Sequence, residues 1–598
     1  MLGAWLAREG AHFSVWAPDA TALTLCLFDG EAERRIPMAR DGEVWRADVP
    51  GVRAGQRYGY RAEGEWVPGR GLCFDPAKLL LDPWAAAIDR AFAYDPRLGE
   101  RGVDTAALVP KSVLEKPLAD VRRAAPRFRP GGLIYEVNVR GFTMLHPEVP
   151  EAQRGTVAAL AHPAVIAHLR KLHVAAVELM PVVAWIDERH LPPLGLTNAW
   201  GYNPVVPMAL EPRLCPGGMA ELRAAVARLH LAGIGVILDL VFNHTGESDR
   251  LGPTLSMRGL GERRWYALEP DGRLVNATGT GNMLNCAEPR VRALILATLR
   301  RFVREAGVDG FRFDLAPVLA RGPDFDPAAP IFAEIAADPW LADRLMIAEP
   351  WDIGPGGYQL GSFPPGWLEW NDRYRDDVRR FWRGDGGIGA LATRIAGSSD
   401  IFARPTRTVN FLAAHDGFTL ADAVAYAERH NEANGEGNRD GHAENFSWNH
   451  GVEGPSADPA VTARRAADLR AMLATLFAST GAIMLTAGDE CGRTQHGNNN
   501  GYAQDNALAW LDWEGRDKAL EDFVAALAAR RARAGEEFAR FPEPGVWRRR
   551  DGAEMTVADW ESPATDMVRY EAGLGDGRMF RLIVDRAARS VVVDIVRN

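Results

Sequence analysis

The chain has 598 residues, of which 47% are hydrophobic and 25% are charged, so it can bury a large core and is not an intrinsically disordered protein. It carries 69 Lys and Arg against 79 Asp and Glu, a net charge of −10. This acidic balance argues against a general binder of nucleic acid or of anionic membranes. We expect a soluble protein whose ligand is neutral or cationic.

The five cysteines are scattered and odd in number, and no C-x-x-C or Cys/His ligand spacing occurs. We therefore expect no disulfide framework, no metal site and no cofactor. Residues 1–10 carry charges where a signal peptide needs an apolar run, which favours a cytoplasmic location for the chain as given. The weakly polar stretch 471–488 resembles a membrane span, but its Ser479-Thr480-Gly481 break predicts a helix followed by a buried strand.

Residues 1–120 have the pattern of an all-β module. Apolar residues recur at period two, and Pro18-Asp19 and Asp29-Gly30 are turn signals. The alternating positions are Phe13, Val15, Leu23, Leu25 and Leu27. We predict an N-terminal β-sandwich, followed by a linker rich in Pro and Arg at 125–132.

Residues 121–515 alternate between helical patterns and short apolar strands. The eight strand candidates are 133–139, 174–180, 234–240, 310–313, 345–348, 367–370, 409–414 and 482–486. Eight strands with helices between them predict a closed α/β barrel of the (β/α)8, or TIM, type. A doubly wound open sheet is the alternative, but no G-x-G-x-x-G follows an early strand. Residues 516–598 begin with a helix rich in Ala and Arg and then predict a short C-terminal β-domain.

Acidic residues follow four of the predicted strands, where the catalytic groups of such a barrel lie. The four segments are Asp239-Leu-Val-Phe-Asn243-His244, Phe311-Arg312-Phe313-Asp314, Glu349-Pro350-Trp351 and His415-Asp416. One ionised carboxylate, one protonated carboxyl group and nearby polar support are what glycoside cleavage requires. Any one of these acids alone is better read as a helix cap or a surface charge. Four of them in one barrel register make coincidence improbable.

These segments resemble the four ordered signature regions of the α-amylase clan of glycoside hydrolases. Within the clan, three further stretches are similar to the isoamylase and glycogen debranching enzymes: 74–83, 370–376 and 498–506. The similarity covers about residues 10–514 and continues weakly into the tail. The first 120 residues resemble the glycogen-binding-like module that precedes such barrels. The tail is short for the family's C-terminal β-sandwich, and Met1 runs straight into the first strand, so the true start could lie upstream.

The resemblance implies a role for each of three carboxylates. Asp314 is the expected nucleophile, kept ionised by Arg312, and Glu349 is the expected general acid and base. Nearby carboxylates should raise the pKa of Glu349. Asp416 is expected to hold sugar hydroxyls and to distort the ring toward the transition state.

The resemblance also implies a substrate-binding set around these acids. His244 and His415 are expected to hydrogen-bond sugar hydroxyls, and Tyr202 to stack on the same sugar. Asp239 and Asn243 are expected to organise the site. Trp351 and Trp370 are the aromatic side chains expected to face substrate, although the pattern at Trp370 fits a core residue equally well.

The sequence predicts hydrolysis of α-1,6 branch bonds in glycogen or its phosphorylase-trimmed limit dextrin, with a branched α-glucan as the partner. The alternatives are a branching enzyme, a trehalose-releasing hydrolase, or an inactive glucan-binding subunit on the same fold. The third is disfavoured because Asp314, Glu349 and Asp416 are all present. The polar stretch 431–450 predicts a long functional loop, in which solvation is favoured over a calcium site.

Overall fold

The computed structural model describes residues 2–403, 406–574 and 577–597. Its N-terminal part consists of two antiparallel sheets that share one apolar core, in which the rings of Phe13 and Tyr58 meet edge to face at 5.1 Å. In spatial order, the first sheet contains Gly3–Ala7, Gly10–Trp16, Val44–Pro50 and Ala39–Asp41, and the second contains Ala87–Ile88, Ser112–Val113, Arg57–Glu63, Ala22–Asp29 and Ala32–Pro37. The predicted β-sandwich is thereby confirmed.

Eight parallel strands form a closed barrel, and each lies where the sequence predicts a strand. They are β1 (Leu133–Val137), β2 (Val174–Leu179), β3 (Gly235–Leu240), β4 (Gly310–Phe313), β5 (Leu345–Ala348), β6 (Leu368–Asn371), β7 (Thr408–Phe411) and β8 (Ala482–Thr486). Strand β8 pairs with β1, which closes the sheet. The barrel prediction is confirmed, and the open doubly wound sheet is wrong.

Helices and one short ribbon fill the connections between the barrel strands. The α-helices of the described barrel region are Val139–Thr143, Val157–Leu160, Pro163–Lys171, Gly218–Leu231, Met257–Trp265, Pro289–Arg301, Pro330–Ala337, Asp372–Arg383, Ile388–Ile395, Leu420–Ala423 and Pro459–Ala478. The ribbon pairs Val183–Trp185 with Pro204–Leu210, and a further ribbon in the N-terminal module pairs Trp66–Val67 with Leu72–Cys73. The helix before β3 buries Met219, Leu222, Val226 and Leu229 along one face, as their spacing predicts.

The stretch 471–488 is a helix end followed by a buried strand, as predicted. The helix Pro459–Ala478 stops at Ser479, and β8 begins three residues later. Across residues 2–403, 406–574 and 577–597, no helix is long and apolar enough to cross a membrane.

The tail forms a helix, Lys518–Ala534, and one antiparallel sheet, in agreement with a short C-terminal β-domain. In spatial order the sheet contains Gly545–Arg548, Met567–Gly573, Arg578–Asp585 and Ser590–Arg597, and a short helix, Val557–Glu561, lies between its first two strands in sequence. The last strand packs against Pro459–Ala478. Side chains of this sheet thus extend the core of the barrel.

Candidate active site

One buried arginine joins three carboxylates at the carboxyl ends of β3, β4 and β5. Arg312 Nη1 donates to both oxygens of Asp239 at 2.9 Å and to Asp314 Oδ1 at 3.0 Å. Its Nη2 lies 3.1 Å from Glu349 Oε2. Arg312 and Asp314 are two residues apart, so they extend from the same face of the chain, and Asp239 is the register partner of Arg312 on β3. Four of the expected site residues are therefore in one contact network.

Glu349 lies beside this network in a buried position that favours its neutral form. Its side chain is 11% exposed, and burial raises its pKa to about 8, with Arg312 acting in the opposite direction and the charge of Asp314 adding to the rise. The backbone N–H of Leu315 donates to Glu349 Oε2 at 2.6 Å. Leu315 has φ of 40°, in the left-handed region that side-chain-bearing residues rarely adopt. This strained turn places the N–H against the acid.

Asp314 is held from a second side by the segment that follows β3. Asn243 Nδ2 donates to Asp314 Oδ2 at 2.7 Å and to the Asp314 backbone oxygen at 2.9 Å. His244 is buried, with Nδ1 2.5 Å from Asn243 Oδ1 and Nε2 2.9 Å from the backbone oxygen of Tyr202. Both ring nitrogens thus contact protein oxygens, so a sugar hydroxyl would have to displace one of them. In this structure His244 orients Asn243.

Tyr202 and His415 form one stacked pair beside the network. Their ring centroids are 4.8 Å apart with an interplanar angle of 23°, and the Tyr202 hydroxyl donates to Asp239 Oδ2 at 2.5 Å. His415 Nδ1 lies 2.7 Å from Glu136 Oε1, and the Thr486 hydroxyl donates to Glu136 Oε2 at 2.7 Å. Burial works against a charge on His415, but the Glu136 carboxylate outweighs it and raises the pKa of His415 above its usual range.

Glu136 is a site residue that sequence reasoning missed. It lies in β1, a strand that is buried at every position, and it contacts His415, which follows β7. The available signal was a charged residue inside an otherwise apolar strand, Leu133-Ile134-Tyr135-Glu136-Val137. Buried carboxylates need a partner, so an acid at an inward position of the first strand indicates a polar contact in the barrel.

Asp416 lies at the edge of this arrangement. Its side chain is 44% exposed, and Oδ2 lies 2.9 Å from Nε2 of His442, a residue of the 431–450 loop. Partial burial raises the pKa of the Asp416 carboxylate. The hydrogen bond from His442 has the larger, opposite effect, so the pKa lies below its usual value. Among the described contacts, no hydrogen bond or ion pair joins Asp416 to Asp314 or Glu349. His442 was not identified from the sequence.

The two tryptophans expected to face substrate differ in burial. Trp370 is 2% exposed inside the barrel, and the Arg312 guanidinium lies 4.3 Å from its ring centroid. The expectation that Trp370 faces substrate is wrong, because the ring supports Arg312 from within through a cation–π contact. Trp351 is half-buried and packs against the apolar residues of the barrel interior.

The 431–450 loop is anchored by buried amides, so it is not simply a solvated loop. Asn431 and Asn434 are fully buried, and Asn431 Nδ2 donates to Asn499 Oδ1 at 2.8 Å. Asn498 Nδ2 donates to Asn434 Oδ1 at 3.1 Å. The loop is therefore fixed to the 498–506 stretch that resembles the debranching enzymes. Over the residues that the structure describes, no three His, Cys, Asp or Glu side chains are grouped to hold a metal ion.

Residues 1–85 match the family carbohydrate-binding module 48 (isoamylase N-terminal domain). The glycogen debranching enzyme of Serratia proteamaculans is 47% identical over 94% of this chain and 88% of its own length. That of Klebsiella pneumoniae is 44% identical over 100% of this chain and 93% of its own length. The chain belongs to the glycogen debranching enzyme family.

The fold is also similar to that of solved pullulanases. Type I pullulanase from Bacillus subtilis, solved with maltose, superposes with a TM-score of 0.73 over 98% of this chain and 78% of its own, at 23% identity. The pullulanase of Paenibacillus barengoltzii, solved with maltohexaose and α-cyclodextrin, superposes with a TM-score of 0.71 over 98% of this chain and 88% of its own, at 22% identity. The shared architecture thus includes the N-terminal sandwich, the barrel and the tail sheet.

Proposed function

We propose that this chain hydrolyses α-1,6-glucosidic branch linkages of glycogen or phosphorylase-trimmed limit dextrin, by a retaining double displacement. The observation that carries the proposal is the sharing of Arg312 by Asp314 and Glu349, at a place where burial raises the pKa of Glu349 to about 8. These two carboxyl groups supply the ionised nucleophile and the proton donor that a retaining glycosidase needs. The α-1,6 linkage and the glycogen polymer are inferred from the relatives named glycogen debranching enzyme.

In the first step, Asp314 attacks the anomeric carbon at the branch point, and Glu349 donates its proton to the departing glycosidic oxygen. The attack forms a glycosyl ester on Asp314 and breaks the carbon–oxygen bond to the leaving chain. Arg312 and Asn243 orient the Asp314 carboxylate, since each donates a hydrogen bond to it.

In the second step, Glu349 acts as a base. It takes a proton from water, and the resulting hydroxide attacks the anomeric carbon and releases Asp314. After the first step the Asp314 ester carries no charge, which removes the repulsion that helps to raise the pKa of Glu349. Glu349 is therefore more acidic in the intermediate than in the free enzyme, as the exchange of roles requires.

The remaining site residues bind and shape the sugar. We propose that Asp416 and His415 hold hydroxyl groups of the sugar that carries the reacting carbon, and that Tyr202 stacks on its face. Trp351 is proposed to contact the chain beside it. The N-terminal module, residues 1–120, is proposed to bind glucan, the barrel, 121–515, to carry the reaction, and the tail, 516–598, to support the barrel.

The test is release of reducing ends from phosphorylase-limit glycogen and from native glycogen, with iodine colour measured in parallel and products sized by chromatography. A debranching enzyme frees short linear chains and deepens the iodine colour. A branching enzyme would transfer chains and free few ends, and a trehalose-releasing hydrolase would yield a non-reducing disaccharide. An inactive subunit would change nothing. Asp314→Asn, tested beside the wild type, shows whether any released ends come from this site.

A further inference from the structure

A large cavity lies at the opposite end of the barrel from the proposed active site. It has a volume of about 550 Å³ and is bounded by the amino ends of β1, β2 and β3 and by the helix Lys518–Ala534. We call it the basal cavity. Its lining includes five basic side chains and, among the described residues, no Asp or Glu. The basic residues are Arg127, Arg129, Arg170, His173 and Arg531.

Three of these arginines lack the partners that most arginines of this chain have. The guanidinium groups of Arg127, Arg129 and Arg170 are exposed and make no ion pair or hydrogen bond with any described residue. Asp309 lies behind the backbone of Arg127, but its oxygens accept from the N–H groups of Arg127 and Val236 and contact His230. Unpaired positive charge therefore converges on one cavity of a protein whose net charge is −10.

The fourth arginine is buried and has no carboxylate to balance it. Arg531 is 5% exposed, and its nitrogen atoms donate to the backbone oxygens of residues 131, 477, 479 and 481 at 2.6–2.9 Å. Burial lowers the pKa of Arg531 to about 9. An anion in the basal cavity would offset the cost of this buried charge.

The rest of the basal cavity is apolar. Leu133, Val174, Ile234 and Phe477 line it, and its volume is much larger than a single phosphate ion requires. A guanidinium group at the mouth of the basal cavity can donate two hydrogen bonds to two oxygens of one phosphate. The apolar walls suit a carbon skeleton. The lining therefore fits a phosphate group attached to a small organic body.

We propose that the basal cavity binds a small organic phosphate ester. The phosphate contacts Arg129 and Arg170 at the exposed side, and the carbon skeleton lies against the apolar wall. Because the basal cavity and the catalytic acids lie at opposite ends of the barrel strands, such a ligand does not compete with glucan. The proposal is independent of the linkage that the active site cleaves.

The test is isothermal titration calorimetry on the full chain with glucose 6-phosphate, inorganic phosphate and glucose as separate probes. The double variant Arg129→Gln/Arg170→Gln removes two exposed guanidinium groups. The matched control, Arg8→Gln/Arg53→Gln, removes two exposed arginines of the N-terminal module whose guanidinium groups have no partner among the described residues, and it changes the net charge equally. Hydrolysis of limit dextrin without added phosphate should be the same in all three proteins.

We expect saturable binding of glucose 6-phosphate by the wild type and the control, weakened by about tenfold or more in the Arg129→Gln/Arg170→Gln variant, and no binding of glucose. Absence of binding to the wild type would overturn the proposal, and so would equal affinity in the two double variants. Equal affinity of the wild type for inorganic phosphate would overturn the assignment to an organic phosphate ester, because the apolar wall would then contribute nothing.

Discussion

The carboxylates proposed to act on substrate are held in two different ways. Asp314 and Glu349 follow neighbouring barrel strands and share Arg312, which is completely buried. Asp416 is nearly half exposed, and its hydrogen-bond partner, His442, comes from a long loop. The barrel therefore fixes the bond-breaking pair, whereas the position of the third carboxylate depends on how the 431–450 loop is anchored.

Asp314→Asn and Glu349→Gln should have the largest effect. Each replacement keeps the shape of the side chain and removes the nucleophilic charge or the transferable proton, so kcat should fall by at least about a thousandfold. Melting temperature and circular dichroism, measured on the same preparations, should show an intact fold. Activity within tenfold of wild type in either variant would mean that the carboxylate was wrongly assigned.

Asp416→Asn should have the next largest effect. If Asp416 holds sugar hydroxyls more tightly in the transition state than in the ground state, kcat should fall by about a hundredfold while KM changes much less. Its exposure predicts little change in melting temperature. A destabilised protein with near-normal kcat at low temperature would instead indicate a structural acid.

His442→Gln sharpens the comparison, because it removes the partner of Asp416 without touching Asp314 or Glu349. We expect kcat to fall by about tenfold, with the loss traced to Asp416. A double-mutant cycle with Asp416→Asn checks this. If His442 acts through Asp416, the double variant should have nearly the same kcat as Asp416→Asn alone. Fully additive effects would show that His442 acts elsewhere. His12→Gln, in the N-terminal module, is the matched control.

The pH profile gives the smallest but most specific effect. Burial and Asp314 raise the pKa of Glu349 to about 8, so the free enzyme carries the required proton below that pH and loses it above. The value of kcat/KM should thus fall tenfold per pH unit as pH rises beyond about 8. In Asp314→Asn, the residual activity should begin to fall at a lower pH, because the charge that helps to raise the pKa of Glu349 is removed. If kcat/KM of the wild type already fell near pH 5, Glu349 would not be held neutral.

Much of this arrangement could be predicted from the sequence, because it depends on local periodicity. All eight barrel strands follow from short apolar segments between helical patterns, and the acids stand directly after four of them. The contacts that join distant segments could not be predicted. Glu136 meets His415 across 279 positions, and His442 meets Asp416 across a loop whose fold depends on buried asparagines.

Trp370 shows a related limit of sequence reasoning. A strand position next to the site fits both a core residue and a sugar-stacking residue, and only the side-chain direction separates them. In the structure the ring lies beneath Arg312, where it stabilises the buried cation. The Trp370 ring is buried because the eight strands close around it, and the closure of the barrel cannot be predicted from the sequence of one strand.

The most direct test of the account is proton NMR during hydrolysis of limit dextrin, which follows the anomeric form of each newly released reducing end. Asp314 and Glu349 share one guanidinium, and a retaining mechanism needs their carboxyl groups about 5–5.5 Å apart, too close for an intervening water. We expect the α-anomer to appear first and then to mutarotate. Initial appearance of the β-anomer would contradict the assignment of Asp314 as the nucleophile.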